Sequence, residues 1–414
     1  TGFAEGRRVF DGAAMSGPET GPVPAEPAAA PSAARGDSLS FNGVSLPTRM
    51  FSDQTQISAH LIAAIDATKT TLDVAIYELA LSSVRDALAR AKARGVKIRI
   101  VLDQGHVYPE KPNWHRTPEV QSLIDGGFEL RTLRGGGPYG IMHNKVGIFD
   151  GKLMEAGSYN WTAAADTMHF ENAYFDDAPH RVASFQRYWD WMWSIARPVD
   201  LNNPPPKLEF DPNPEAHTPP LPPAPQDPDR PLSLNGTRLP AESYTPQGTA
   251  ALIAAAIDAS KEGVDLANFS FTNDQIIAAL KRAKDRGLKV RLIFDRSQYG
   301  FLKEMQDMAT MGFDVRLSAG IRGPGQRGVM HNKFGVFDGR LVETGSFNWT
   351  MNGELHNYEN AAYLDAPDDV AGYAAYFDRI WAQAQPPAPS DLRPTPAQHS
   401  EHGQLLGGVS PLAF

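Results

Sequence analysis

A chain of 414 residues with 42 % hydrophobic content is long enough to bury two sizeable cores, so two domains is the first expectation. A formal net charge of -9 argues against a protein that coats nucleic acid, which normally shows a basic domain, and leaves open only a local basic entrance. The absence of cysteine excludes disulfides, thiolate nucleophiles and cysteine-ligated zinc, and no apolar run approaches the roughly 18 residues of a spanning helix.

Residues 1–37 are rich in Pro, Ala, Gly and Ser, have no sustained apolar period and read as a disordered leader. This leader, with a start at Thr1, points to a secreted or periplasmic protein, a soluble cytoplasmic one being the alternative. Residues 201–231 carry Pro204-Pro205-Pro206 and Pro219-Pro220 and read as an extended linker, and residues 385–414 as a tail. Between them lie segments 38–200 and 232–384, which match element for element. Phe41-Asn42-Gly43 answers Leu234-Asn235-Gly236, and the apolar stretch Leu61 to Ala67 answers Leu252 to Ala259. A short strand, Leu72 to Tyr77, answers Val264 to Phe269. An amphipathic helix from Val84 to Arg94 stops at Gly95 and leads into the strand Val96 to Asp103, as Ile276 to Arg286 stops at Gly287 before Leu288 to Asp295. Strand, helix, strand in this order implies a parallel unit with a right-handed crossover. Each half ends in an aromatic-rich helix, Phe185 to Trp193 and Tyr373 to Trp381, whose stripe reads as core.

The densest part of the repeat is Met142-His143-Asn144-Lys145-Val146-Gly147-Ile148-Phe149-Asp150-Gly151, continuing to Gly157-Ser158-Tyr159-Asn160. Its second copy is Met330-His331-Asn332-Lys333-Phe334-Gly335-Val336-Phe337-Asp338-Gly339, continuing to Gly345-Ser346-Phe347-Asn348. Asp-Gly between two apolar runs predicts a two-residue hairpin turn. That register sets Lys145 opposite Ala156 and His143 opposite Ser158, and puts His143, Lys145, Ser158 and Asn160 on one face. The same count groups His331, Lys333, Ser346 and Asn348. An imidazole that attacks phosphorus, with an ammonium, a hydroxyl and an amide donating to the non-bridging oxygens, suits a phosphodiester. Asp150 and Asp338 fall in the turns and read as backbone-bonding turn formers in a supporting role.

His-x-Lys with Asp four residues after the Lys, followed by Gly-Ser-x-Asn, resembles the signature of the phospholipase D superfamily, and both copies match it. The resemblance implies an α/β fold of two pseudo-two-fold-related α/β/α sandwich lobes with one active site at their interface. It also implies metal-independent chemistry through a phosphohistidine, with His143 as nucleophile and His331 as the acid that protonates the leaving oxygen. Glu171 and Glu359, eleven residues after each motif Asn, match family acids that orient the catalytic imidazole; the alternative for them is an ordinary surface acid.

No cofactor and no metal site is expected: His106, His115, His169 and His356 show no ligand spacing. The loop arginines Arg131, Arg134, Arg316, Arg322 and Arg327 could line an anionic entrance, and Tyr108 and Trp114 could touch an acyl chain or a base. The leading expectation is a monomeric phospholipase D acting on phospholipid at a membrane or micelle surface, with transfer to another alcohol as a side reaction. A nuclease of the same superfamily, acting on nucleic acid, is the alternative. A phosphatidyl transferase of the cardiolipin synthase type ranks third.

Overall fold

In a computed structural model, which describes residues 32–109, 115–208, 211, 217–227 and 230–392, each half of the chain builds one large sheet beside short two-stranded ones. Trp114 and residues 1–31 and 393–414 lie outside the described residues. The first sheet contains β1 (Arg49–Phe51), β2 (Thr71–Ile76), β3 (Lys97–Asp103), β4 (Glu129–Leu133), β5 (Lys145–Phe149), β6 (Leu153–Gly157) and β7 (Asn172–Asp176). Its spatial order is β4, β3, β2, β5, β6, β7, β1, with the short strand Arg197–Pro198 outside β4. Strands β2, β3 and β4 are parallel, as the strand-helix-strand pattern requires, and direction then alternates from β5 to β1. Helices α1 (Ile57–Ala67), α2 (Ser82–Ala93) and α3 (Pro118–Asp125) contribute to the core on one face, and α4 (Pro179–Ile195) covers the other.

The second half repeats the plan. Strands β8 (Glu242–Tyr244), β9 (Gly263–Asn268), β10 (Lys289–Asp295), β11 (Asp314–Ser318), β12 (Lys333–Phe337), β13 (Leu341–Gly345) and β14 (Asn360–Leu364) run in the order β8, β14, β13, β12, β9, β10, β11. Helices α5 (Thr249–Ala259), α6 (Asp274–Asp285) and α7 (Lys303–Thr310) lie on one face and α8 (Pro367–Gln383) on the other. The local causes are those read from the sequence. Helix α6 buries Ile276, Ile277, Leu280 and Ala283, starts where Asn273 Oδ1 accepts from the amides of Gln275 and Ile276, and ends before Gly287 at φ +83°.

The hairpin register differs from expectation. Asp150 and Gly151 have φ +52° and +60°, and the Lys152 amide donates to the Phe149 carbonyl at 2.9 Å, so the tight turn forms. The ladder, however, pairs Phe149 with Leu153 and Val146 with Ala156, leaving Lys152 as an extra residue. Lys145 therefore does not face Ala156, and His143 does not face Ser158. The cause is burial: Phe149 and Leu153 both belong to the core under α1 and α2, whereas the expected register would have paired Phe149 with exposed Lys152. The second copy makes the same choice, Phe337 facing Leu341 while Arg340 is exposed.

The lobes meet along a seam with approximate two-fold symmetry. Phe51 of β1 stacks on Tyr376 of α8 at 4.3 Å between centroids, and Tyr244 of β8 stacks on Tyr188 of α4 at the same distance. Backbone bridges join Met142 to Tyr358 and Phe170 to Met330. The described linker residues also hold on: the Leu221 amide donates to the Leu355 carbonyl and the Ala224 amide to the Pro246 carbonyl.

Candidate active site at the lobe seam

The two motif histidines reach the seam because cross-lobe backbone bonds place them there. The His143 amide donates to the Tyr358 carbonyl at 2.9 Å, and the His331 amide donates to the Phe170 carbonyl at 3.0 Å. Both side chains are buried, and their rings lie 6.4 Å apart at an interplanar angle of 81°.

Each imidazole is held by the acid of the other lobe. His143 Nδ1 lies 2.9 Å from Glu359 Oε2, and His331 Nδ1 lies 2.9 Å from Glu171 Oε1. The serines complete these crossed sets rather than their own histidines' sets: Ser346 Oγ donates to Glu359 Oε2 at 2.7 Å, and Ser158 Oγ donates to Glu171 Oε2 at 2.5 Å. Both glutamates are completely buried, which removes the surface-acid alternative.

One contact breaks the symmetry. His143 Nδ1 also lies 3.2 Å from the Ser346 backbone carbonyl, which can only accept, so Nδ1 carries the hydrogen and Nε2 keeps its lone pair. Burial pushes the His143 imidazole down to about 4, against the opposing pull of Glu359. On the other side burial pushes the Glu171 carboxyl up to about 8, with Lys333 and Ser158 opposing, and drives His331 well below its ordinary value. The Glu171–His331 pair therefore holds one dissociable proton at neutral pH, shared across a bond between them.

The lysines bond to the backbone of the histidines two residues before them. Lys145 Nζ donates to the His143 carbonyl at 2.6 Å and lies 5.0 Å from the Tyr77 ring centre; Lys333 Nζ donates to the His331 carbonyl at 2.5 Å and lies 5.1 Å from that of Phe269. Burial lowers Lys145 to about 7, against the attraction of Glu359 and Glu171, and lowers Lys333 as well. Asn160 is fully buried, and neither Nδ2 nor Oδ1 has a partner among the described residues; the same holds for Asn348 Oδ1 and His331 Nε2. Buried polar atoms are normally bonded, so this cluster of unmet donors and acceptors is suited to a polar guest.

Asp150 and Asp338 stand apart from this cluster, at the far ends of β5 and β12. Asp150 accepts from the amides of Lys69, Thr70 and Thr71 and from Asn42 Nδ2, and Asp338 from those of Lys261, Glu262 and Gly263 and from Asn235 Nδ2. Among the described residues no group of three His, Asp or Glu is placed to hold a metal ion. His169 accepts from the Val329 amide beside His331, and His106 packs edge-on to Tyr77. A cavity of about 640 Å³ elsewhere on the seam, lined by residues such as Arg35, His180, Arg181 and Arg238, contains none of the motif residues.

Three pairs of matching residues carry no role in the sequence reading: Asn144 and Asn332, Asn172 and Asn360, and Asp103 and Asp295. Asn360 Nδ2 donates to Asn144 Oδ1 and Asn172 Nδ2 to Asn332 Oδ1, each at 2.8 Å, joining the lobes beside the histidines. Asp103 and Asp295, at the ends of β3 and β10, accept from the amides of Met142 and Met330 and so anchor the residue before each His. All three pairs repeat at matching places in the two copies, which was the available signal.

Both halves of the chain resemble known proteins. A family model described as "Cardiolipin synthase, PLD-like domain" matches residues 61–193 and 253–381. Mitochondrial cardiolipin hydrolase of Chlamydomonas reinhardtii is 32 % identical over 122 residues, 28 % of this chain and 51 % of that one. Phospholipase D of Rickettsia felis is 32 % identical over 126 residues, 30 % of this chain and 58 % of that one. The chain thus spans about half the length of these curated relatives. Phosphatidylserine synthase of Haemophilus influenzae shares the fold, with a TM-score of 0.61 at 12 % identity over 82 % of this chain and 87 % of that one. With both repeats matched, the chain belongs to the phospholipase D superfamily.

Proposed function

We propose that this protein is a metal-independent phosphodiesterase of the phospholipase D type, which hydrolyses glycerophospholipids to phosphatidic acid and a head-group alcohol. The observation that carries the reading is the pair of buried imidazoles 6.4 Å apart, each tied through Nδ1 to the other lobe's glutamate.

His143 Nε2, with its lone pair free, attacks phosphorus and forms a P–N bond. The P–O bond to the head group breaks, and that oxygen takes the proton held by the Glu171–His331 pair through His331 Nε2. Water then gives a proton back to His331 and attacks phosphorus, breaking the P–N bond; an acceptor alcohol in its place gives transfer. Lys145, Lys333, Asn160 and Asn348 donate to the non-bridging oxygens, Ser158 and Ser346 steady the glutamates beside them, and no step calls on a metal. The contact between His143 Nδ1 and the Ser346 carbonyl supports this order of roles. The names of the relatives, cardiolipin hydrolase and phospholipase D, support lipid over nucleic acid, as does the net charge of -9.

The test pairs choline release from phosphatidylcholine vesicles with cleavage of single-stranded DNA, both in excess chelator. DNA cleavage without lipid turnover would overturn the substrate, and loss of both activities in chelator would overturn the metal-free scheme. His143→Ala is expected to abolish the phosphoenzyme and His331→Ala to let it accumulate slowly; label on His331 in the unaltered protein would reverse the roles.

A further inference from the structure

The seam carries a feature that the catalytic scheme does not use. Its ring contacts are alike in both halves, Phe51 on Tyr376 and Tyr244 on Tyr188 stacking at the same centroid distance, although the Tyr244 hydroxyl adds a bond to Ser184 that Phe51 lacks. Ring stacking alone does not distinguish one lobe from the other. The charges two residues before these aromatics do, because they are inverted. Arg49 of β1 reaches the first turn of α8, with Nη1 3.4 Å from Asp369 Oδ1 and 3.6 Å from Asp368 Oδ2. In the matching contact Glu242 of β8 meets the first turn of α4, with Oε1 2.8 Å from Arg181 Nη1.

Arg49 and Glu242 are equivalent positions. Arg49 pairs with Tyr174 on β7 and Glu242 with Ala362 on β14, and these two partners stand equally far in sequence after their motif histidines. Arg181 and Asp369 are likewise equivalent, each two residues after the proline that opens its helix. The first lobe thus presents Arg on both strand and helix, and the second presents an acid on both. Two neighbours follow the same division, Asp368 adding to the acid of the second lobe and Arg35 of the first lobe reaching Asp369, while Asp176 is an acid of the first lobe that pairs with Arg181 from its own side.

We infer that this inverted charge set selects the unlike lobe as partner, so that the two lobes of one chain close on each other and do not exchange with a second copy. Pairing of two first lobes would set Arg49 against Arg181 twice. Pairing of two second lobes would set Glu242 against Asp368 and Asp369 twice. Like charges placed across an interface act against the wrong partner. The selection has a functional consequence, because every lobe carries its own His, Lys, Ser, Asn and Glu. Since each histidine is held by the other lobe's glutamate, any two lobes could assemble a site, and the charges decide which two do.

The test uses the full chain. R49E/E242R makes each lobe complementary to its own kind, because the β1 strand would then offer a carboxylate to Arg181 and the β8 strand a guanidinium to Asp369. It leaves the Arg35–Asp369 and Arg181–Asp176 contacts intact. By size-exclusion chromatography with light scattering it is expected to run mainly as concentration-dependent dimers and larger assemblies, against a monomeric parent. A folded, monomeric R49E/E242R would overturn the inference. The milder R49Q/E242Q removes the discrimination without rewarding exchange. Refolded at high concentration, it is expected to give a larger dimer fraction than the parent, and an unchanged fraction would also overturn the inference.

Discussion

Glu359 of the second lobe lies 2.9 Å from Nδ1 of His143 in the first, so neither repeat holds its own imidazole. Replacing an orienting carboxylate typically costs 10- to 100-fold in activity. Glu359→Gln is expected to slow phosphoenzyme formation by about that factor, because the Nδ1 hydrogen loses its charged acceptor. Glu171→Gln is expected to act on the same scale through the proton donor, slowing departure of the alcohol and attack by water. Rapid-quench trapping of labelled phosphoenzyme separates the two; equal effects on formation and breakdown from both variants would contradict the division of labour.

The site's titrations predict a bell-shaped dependence of kcat/KM on pH. Below about 4, protonation of His143 removes the attacking lone pair. In the proposed scheme Lys145, above about 7, loses the charge that would meet the phosphate oxygens, and Glu171, above about 8, loses the proton that the leaving alcohol would take. Lys145→Arg keeps a charge that does not titrate in this range. It is expected to lower kcat while moving the alkaline limb upward, to where Glu171 becomes limiting. An alkaline limb that stays in place in Lys145→Arg would remove Lys145 from this assignment.

Asp150 belongs to stability. Burial raises its carboxyl, but the amides of Thr70 and Lys69 outweigh this and leave it below its ordinary value of 3.8. A folded value below the unfolded one means that the stabilisation is complete above the unfolded value and is lost as pH falls through the folded one. Asp150→Asn is expected to cost about 1–2 kcal/mol, by loss of charge-assisted bonds at a largely exposed turn. The thermal midpoint should drop by a few degrees at pH 7, converge toward that of the parent as pH falls below the ordinary carboxylate range, and leave kcat within about twofold. A large fall in kcat with an unchanged midpoint would move Asp150 into the chemistry.

The parallel strands, the capped helices and the paired site residues were legible because each rests on local signals: Gly95 and Gly287 as stops, period-two alternation, and polar residues repeated at equal spacing. The hairpin register was not, because Asp150-Gly151 specifies a turn and only the need to bury Leu153 beside Phe149 decides that Lys152 is extra. The crossing of Glu171 to His331 was hidden for a similar reason. Two copies with identical residues read the same whether each serves itself or its partner, and only the seam contacts at Tyr358 and Phe170 settle it.

Gly335 lies within the second motif, and its position leaves almost no room for a side chain. A Cβ there would lie 2.9 Å from Trp349 Cη2 and 3.0 Å from Phe337 Cζ. Both rings are fully buried, and Trp349 is tied by Nε1 to Glu343 Oε2 at 3.2 Å, so neither can swing away freely. At Gly147 the matching contact is Phe149 Cζ at 2.8 Å. Overpacking of this kind costs typically 1–3 kcal/mol. Gly335→Ala is expected to lower the thermal midpoint, shift the near-ultraviolet dichroism of Trp349, and reduce kcat because Lys333 lies two residues earlier on the same strand face. Gly147→Ala meets one ring rather than two and should fall toward the lower end of the range. A Gly335→Ala protein with unchanged dichroism and midpoint would show that the tryptophan can give way, and that the glycine is not required for packing.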